Sequence, residues 1–186
     1  MTKIELRKRA RNMICEGKSK QETYEELKLM SSIKPEDIAK IVQETVSQDA
    51  KSSNIMPQVL ILMLLGAYIT IQALVIANNY RINAGIVWPA IRCAVGLVLF
   101  LGIVFYAAEA YRSARIWMGL GLFRFFFLIL YLGFEWFDLI DMAVYSGVIL
   151  LSFYLEKKLF PPYGLVKELY QNRNGEDRLR YLIRFE

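Results

Sequence analysis

The chain has 186 residues, 55% of them apolar and 22% charged, with a formal net charge of +5 and no histidine. Without histidine there can be no His-ligated zinc, no Ser-His-Asp triad and no imidazole proton relay. The charge is also segregated. No lysine occurs between Lys51 and Lys157, and Ile55 to Glu156 carries five arginines against five acids, which excludes an evenly charged soluble globule and a disordered chain alike.

Residues 1–54 read as a small module of three soluble helices followed by a linker. Thr2 and Glu5 have the T-x-x-E spacing of a capping box, and Ser19 and Glu22 repeat it. Ile4, Met13 and Ile14 form a thin apolar stripe that stops at Gly17. Tyr24, Leu27, Leu29 and Met30 are the apolar positions of the second helix, which Ser31-Ser32 ends. Pro35 suits the first position of a third helix, with Glu36 and Asp37 at its positive dipole end and Ile38, Ile41, Val42 and Val46 at helical spacing. Gln48 to Asn54 reads as a linker. The third helix offers Lys40 as its one base beside Glu36, Asp37 and Glu44, a poor set for reading base edges. Residues 1–54 carry 11 Lys and Arg against 9 acids. Neither end of the chain is a basic block interleaved with aromatics, so nucleic acid is not an expected partner. The first apolar run begins only near Ile55, so a retained N-terminus is expected.

Four apolar runs follow, over about 59–77, 86–108, 116–134 and 137–155. A run of about 20 residues at 1.5 Å rise matches a hydrocarbon core of about 30 Å. Pro57 precedes the first run. Trp88 and Tyr106 mark the ends of the second, and Trp117 and Tyr131 those of the third. The links at 78–85, 109–115 and 135–136 are short and force antiparallel neighbours. The expected fold is therefore all-α: an integral membrane four-helix up-down bundle over 55–160, with a small N-terminal cytoplasmic helical module. Counting Lys and Arg alone, 20 fall on one side, against Arg81 on the other. The positive-inside rule then places both termini in the cytoplasm of a multi-pass cell-membrane protein, most simply in a prokaryotic inner membrane.

Residues 161–186 form a short basic tail in this reading. Pro161-Pro162 stops the last span. Leu165 to Tyr170 suits a short helix. Asn174-Gly175 signals a turn. Arg178 to Phe185 alternates apolar and basic residues as a strand does, and a membrane-surface helix is the competing reading. A lone strand there needs a partner.

Charges inside spans are expensive and mark positions with partners. Arg92 and Asp141 come out close in depth and are expected to pair, with Arg124 nearer the midplane. Glu135, Asp138 and Asp141 recur on one face of the fourth span, with Tyr145 one turn below. This intramembrane polar network of Arg92, Arg124, Glu135, Asp138, Asp141 and Tyr145 reads first as a register-fixing ion-pair set, and second as a polar path or an anionic-headgroup pocket. Thr70 and Gln72 suit hydrogen bonds across helices. Ala90 with Ala94, and Ala143 with Gly147, have small-xxx-small spacing for helix contact or a homo-oligomer. Arg112, Arg115, Lys157 and Lys158 are placed to meet lipid headgroups. Cys15 and Cys93 fall in different environments and are expected to stay reduced. No catalytic residue, cofactor or metal is expected. The expected function is a non-enzymatic membrane adaptor or accessory protein whose cytoplasmic module docks a cytoplasmic or membrane protein partner. A transporter or channel subunit is the alternative, and a membrane immunity or stress protein a further one.

Overall fold

The computed structural model describes residues 2–81, 85–132, 136–171 and 177–185, with side chains at 81, 124–126, 128–132, 136–138, 168–171 and 177–181 left out. Among the described residues the chain is mostly helical, with eight helices and two strands. These fall into two compact units, one made of residues 1–52 and 157–186, the other of residues 53–156.

The first unit begins with α1 (Lys3–Cys15), α2 (Lys20–Met30) and α3 (Pro35–Glu44). Both capping boxes form. Glu5 N–H donates to Thr2 Oγ1 at 3.3 Å and Thr2 N–H to Glu5 Oε2 at 2.8 Å. Glu22 N–H donates to Ser19 Oγ at 3.2 Å and Ser19 N–H to Glu22 Oε2 at 2.9 Å. The α1 end is a Schellman turn. Gly17 takes φ 91°, and the amides of Gly17 and Lys18 bond the carbonyls of Ile14 and Met13, a left-handed step that glycine makes without a Cβ clash. Residues 48–54, expected as a linker, contain α4 (Gln48–Ser53). The signal was Ser47, whose Oγ accepts the Ala50 amide at 3.2 Å.

The C-terminal segment corrects the all-α expectation. Tyr163–Gln171 (β1) and Asp177–Phe185 (β2) pair as an antiparallel hairpin, in register from Tyr163↔Phe185 to Gln171↔Asp177. Leu165 to Tyr170, expected as a short helix, supplies the partner that the alternating 178–185 segment required. The hairpin joins the helical core. Ile183 is buried with Leu6, Tyr24, Leu27, Ile38 and Val42, and Tyr163 and Phe185 pack against this cluster. The Phe185 ring lies 5.9 Å from Tyr24 and 5.8 Å from Tyr163. Gln21 of α2 completes the docking. Its Oε1 accepts the Phe185 amide at 3.2 Å and its Nε2 donates to the Ile183 carbonyl at 3.5 Å. A two-stranded ribbon is marginal in water by itself, and here a helical cluster covers one side of it. Lys20 Nζ donates to the Gln43 carbonyl at 3.0 Å and the Leu159 carbonyl at 3.5 Å. Burial lowers its pKa from 10.5 to about 8.

The second unit holds α5 (Ile55–Arg81), α6 (Val87–Val104), α7 (Ala108–Leu132) and most of α8 (Trp136–Leu159). Pro57 lies inside the first turn of α5, where its missing N–H leaves no hydrogen bond unmade. Three helices among the described residues are long and apolar enough to cross a membrane: Ile55–Tyr80, Val87–Val104 and Leu139–Leu159. The second expected run, 86–108, is cut short. Tyr106 adopts φ 55°, and the amides of Tyr106 and Ala107 bond the carbonyls of Ile103 and Gly102. This is a Schellman turn built on a tyrosine, a conformation that bulky residues rarely adopt. The segment 109–115, expected as a link, is thus the start of α7. Gly102 permits the tight corner, since a Cβ there would lie 2.6 Å from Ala110 Cβ.

Neighbouring helices run antiparallel. The start of α5 meets the end of α6 through Gln58, whose Nε2 donates to the Ile103 carbonyl at 2.7 Å while its Oε1 accepts the Tyr111 hydroxyl at 2.7 Å. Glu156 near the end of α8 holds Arg112 and Arg115 in the first turns of α7. Gly96 lies against Tyr68 and Ile69, Gly121 against Tyr145, and Gly147 against Leu64.

Candidate functional site

The residues that gather polar chemistry inside the second unit come from all four of its helices. A cavity of about 110 Å³ is lined by Tyr68 of α5, Trp88 and Arg92 of α6, Trp117, Leu120 and Gly121 of α7, and Tyr145 of α8. One helical turn separates Trp88 from Arg92, and the guanidinium stacks on that ring at 5.5 Å from its centroid. The stacking offsets part of the cost of a charge among apolar residues. Trp117 Nε1 donates to the Tyr68 hydroxyl at 3.2 Å, and the rings of Tyr68 and Tyr145 lie 5.9 Å apart. Gly96 and Gly121 make the assembly possible, because each presents a bare backbone to one of these tyrosine rings.

Of the polar network read from sequence, the structure brings Arg92 and Tyr145 to this one cavity. Asp141 is half-buried on α8, and its carboxylate and the Arg92 guanidinium both act electrostatically on the Tyr68 hydroxyl. The expected Arg92–Asp141 ion pair is not among the salt bridges of the described residues, which in this unit join Arg112 to Glu109 and to Glu156, and Arg115 to Glu156. The guanidinium stacks on Trp88. Glu135 and the side chains of Arg124 and Asp138 lie outside the described residues.

The helix-contact residues divide. Gly147 meets Leu64, where a Cβ would fall 2.8 Å from Leu64 Cδ1, whereas Ala90, Ala94 and Ala143 are exposed. Thr70 turns back to its own helix, donating to the Gly66 carbonyl at 2.9 Å. Gln72 is buried. Lys157 and Lys158 are exposed in the last turn of α8. Arg112 Nε bonds Glu156 Oε1 at 2.7 Å, and Arg115 also stacks over Phe153 at 5.3 Å. Glu156 itself is mostly covered, with 15% of its side chain exposed. It thus neutralises two arginines at one end of the helices.

Sequence reasoning missed Gln58, Tyr68, Tyr111 and the role of Glu156. Gln58 and Tyr111 were visible as hydrogen-bonding groups in or beside apolar runs. Tyr68 had no local signal, since its partners lie on other helices. No known family model matches the chain, and no curated protein or solved structure matches it.

Proposed function

We propose that the protein is a four-span membrane adaptor without catalytic activity, with both termini in the cytoplasm and a soluble module, assembled from the two chain ends, that docks a protein partner. The observation that carries this reading is the common core of residues 1–52 and 157–186, in which Ile183 and Phe185 pack with Tyr24 and Leu27. Two segments that share one core lie on one side of any membrane, so the chain between them crosses an even number of times. Three helices already qualify as spans, and α7, 25 residues long, makes the fourth. The excess of Lys and Arg on the terminal side supports a cytoplasmic location. Docking is supported by Ile4, Leu29 and Met30, which the module leaves exposed, Leu29 to 89%. The Lys3–Asp37 ion pair holds the start of α1, which carries Ile4, beside the start of α3.

The native thiols test the topology. Cys15 is exposed in the module. In a Cys93→Ser background, a membrane-impermeant maleimide is expected to label Cys15 in inverted vesicles and to spare it in intact cells. Labelling in intact cells overturns the cytoplasmic assignment. For docking, Ile4→Glu with Leu29→Glu is expected to remove a co-purifying partner while the variant stays in the membrane fraction. An unchanged set of partners defeats the adaptor reading. The Arg92 cavity favours a second reading, a transporter or channel subunit, which solute flux in proteoliposomes lost on Arg92→Gln would support.

A further inference from the structure

The cavity among α5, α6, α7 and α8 has a chemistry that packing alone does not require. A guanidinium inside an apolar helical assembly needs a counter-charge or water, and the ring of Trp88 covers one face of Arg92. The Tyr68 hydroxyl accepts the Trp117 indole N–H, so its own proton remains available to an acceptor. It also lies within the field of Arg92. The cavity therefore presents a cation and a hydroxyl donor amid aromatic walls. Asp141 acts on Tyr68 but is not among the described residues that line the space. The rim is apolar and open. Trp88 is 50% exposed, and Leu120, midway along α7, is 61% exposed. The mouth thus reaches the apolar flank of the helices, the surface that faces acyl chains if these helices span a bilayer.

We propose that this cavity binds the anionic head of a lipid-like molecule, a carboxylate or phosphate ester carried on an apolar tail. Arg92 is its counter-ion, Tyr68 its second donor, and the rings of Trp88, Trp117 and Tyr145 contact the first carbons of the tail. The lateral, apolar mouth selects a ligand delivered from the membrane over a free aqueous anion. The proposal rests on the membrane-embedded part of the reading above and is independent of partner docking.

Two of the three tryptophans line the cavity, so intrinsic fluorescence reports on it. The full chain carrying Trp136→Phe, purified in a neutral maltoside detergent, is titrated in turn with oleate, phosphatidylglycerol, inorganic phosphate and oleyl alcohol. A saturable change in emission is expected with oleate, with phosphatidylglycerol or with both; the stronger of the two names the source as a free fatty acid or a membrane phospholipid. Arg92→Gln is expected to weaken that response about tenfold, Arg92→Lys to recover part of it, and Tyr68→Phe to weaken it about threefold, as loss of a charge-assisted and of a neutral hydrogen bond respectively. If Arg92→Gln loses its helical circular dichroism, Arg92→Lys and Tyr68→Phe decide, and wild-type affinity in both overturns the proposal. A response to oleyl alcohol equal to that with oleate, or to inorganic phosphate alone, also overturns it. So does the absence of any saturable response in folded wild type, a result that leaves the maleimide labelling and the partner co-purification standing.

Discussion

The two units of this chain expose opposite things. The module made from residues 1–52 and 157–186 hides Leu6, Leu27, Ile38 and Val42 completely and turns most of its described charges outward, with Lys20 an exception. The helices of residues 53–156 turn Val98, Leu101, Leu150 and Phe153 outward, and no more than 28% of any of their three most apolar windows is buried. Between these helices, fully buried Ile61, Leu65, Ile103, Met118 and Val148 lie beside glycine backbone, tyrosine rings and a few hydrogen-bonding side chains. Hydrophobic burial drives association only where the surroundings are water. In hydrocarbon it supplies little, and close packing, backbone approach and polar contacts between helices take its place. The two units therefore share aliphatic burial and differ in their surfaces and in the close backbone approaches that glycines allow.

Substitutions can break the contrast. The largest effect is expected from truncating the module core. Leu27→Ala or Ile38→Ala should cost about 2–5 kcal/mol, as for other fully buried aliphatics, and expose the amides of α1–α3 and the hairpin together in hydrogen exchange of the full chain. Unchanged protection would show that this core does not hold the module. In the apolar unit the sensitive position is polar. Gln58→Leu removes one hydrogen bond to the Ile103 carbonyl and one from the Tyr111 hydroxyl, and should cost roughly 1–3 kcal/mol in detergent unfolding. A cost no greater than that of an exposed substitution on the same helix, such as Leu60→Ala, would remove the polar-contact account.

Lys20 sharpens the contrast through pH. Its amine titrates near 8 in the folded module and near 10.5 when unfolded. Between those values the unfolded state holds more protons, so stability rises with pH across that window. It is lowest and flat below it, where the amine is charged in both states. The difference between wild type and Lys20→Met should therefore change by on the order of 2 kcal/mol from pH 7.5 to 10, and a pH-independent difference would contradict the burial of a charged amine. The smallest effect is a gain. Thr23 Oγ1 is buried without a hydrogen-bond partner, so Thr23→Val should stabilise the module by about 0.5–1 kcal/mol, read as a small upward shift of its melting temperature. A loss would mean that the hydroxyl has a partner after all.

Local chemistry made part of this structure legible in advance. Thr2, Glu5, Ser19, Glu22, Pro35 and Gly17 act within a turn of themselves, and each sits where its side chain or lack of one dictates. The strand at 178–185 announced itself by alternation. Its partner at 163–171 did not, because Gly164, Lys167 and Glu168 interrupt any pattern and the segment becomes a strand through pairing. The end of α6 was misplaced because nothing in its sequence marks Tyr106 for a left-handed turn; Gly102 and Ala110 allow that corner by being small. The cavity was legible only as Arg92 and Tyr145, and its walls come from positions 68 to 145 that converge only in three dimensions. Depth along each helix suggested Asp141 beside Arg92, but depth carries no information about rotation, and it gave no sign that the guanidinium stacks on a tryptophan one turn away.

The hairpin has a consequence for biosynthesis. Because Ile183 and Phe185 complete the cluster around Tyr24 and Leu27, α1–α3 wait until the hairpin strands have been translated. Residues 53–156 are translated in between. A nascent chain stalled or cleaved before Tyr163 keeps an unfinished surface that proteases and chaperones can recognise, so closure of the module reports that translation has passed Phe185.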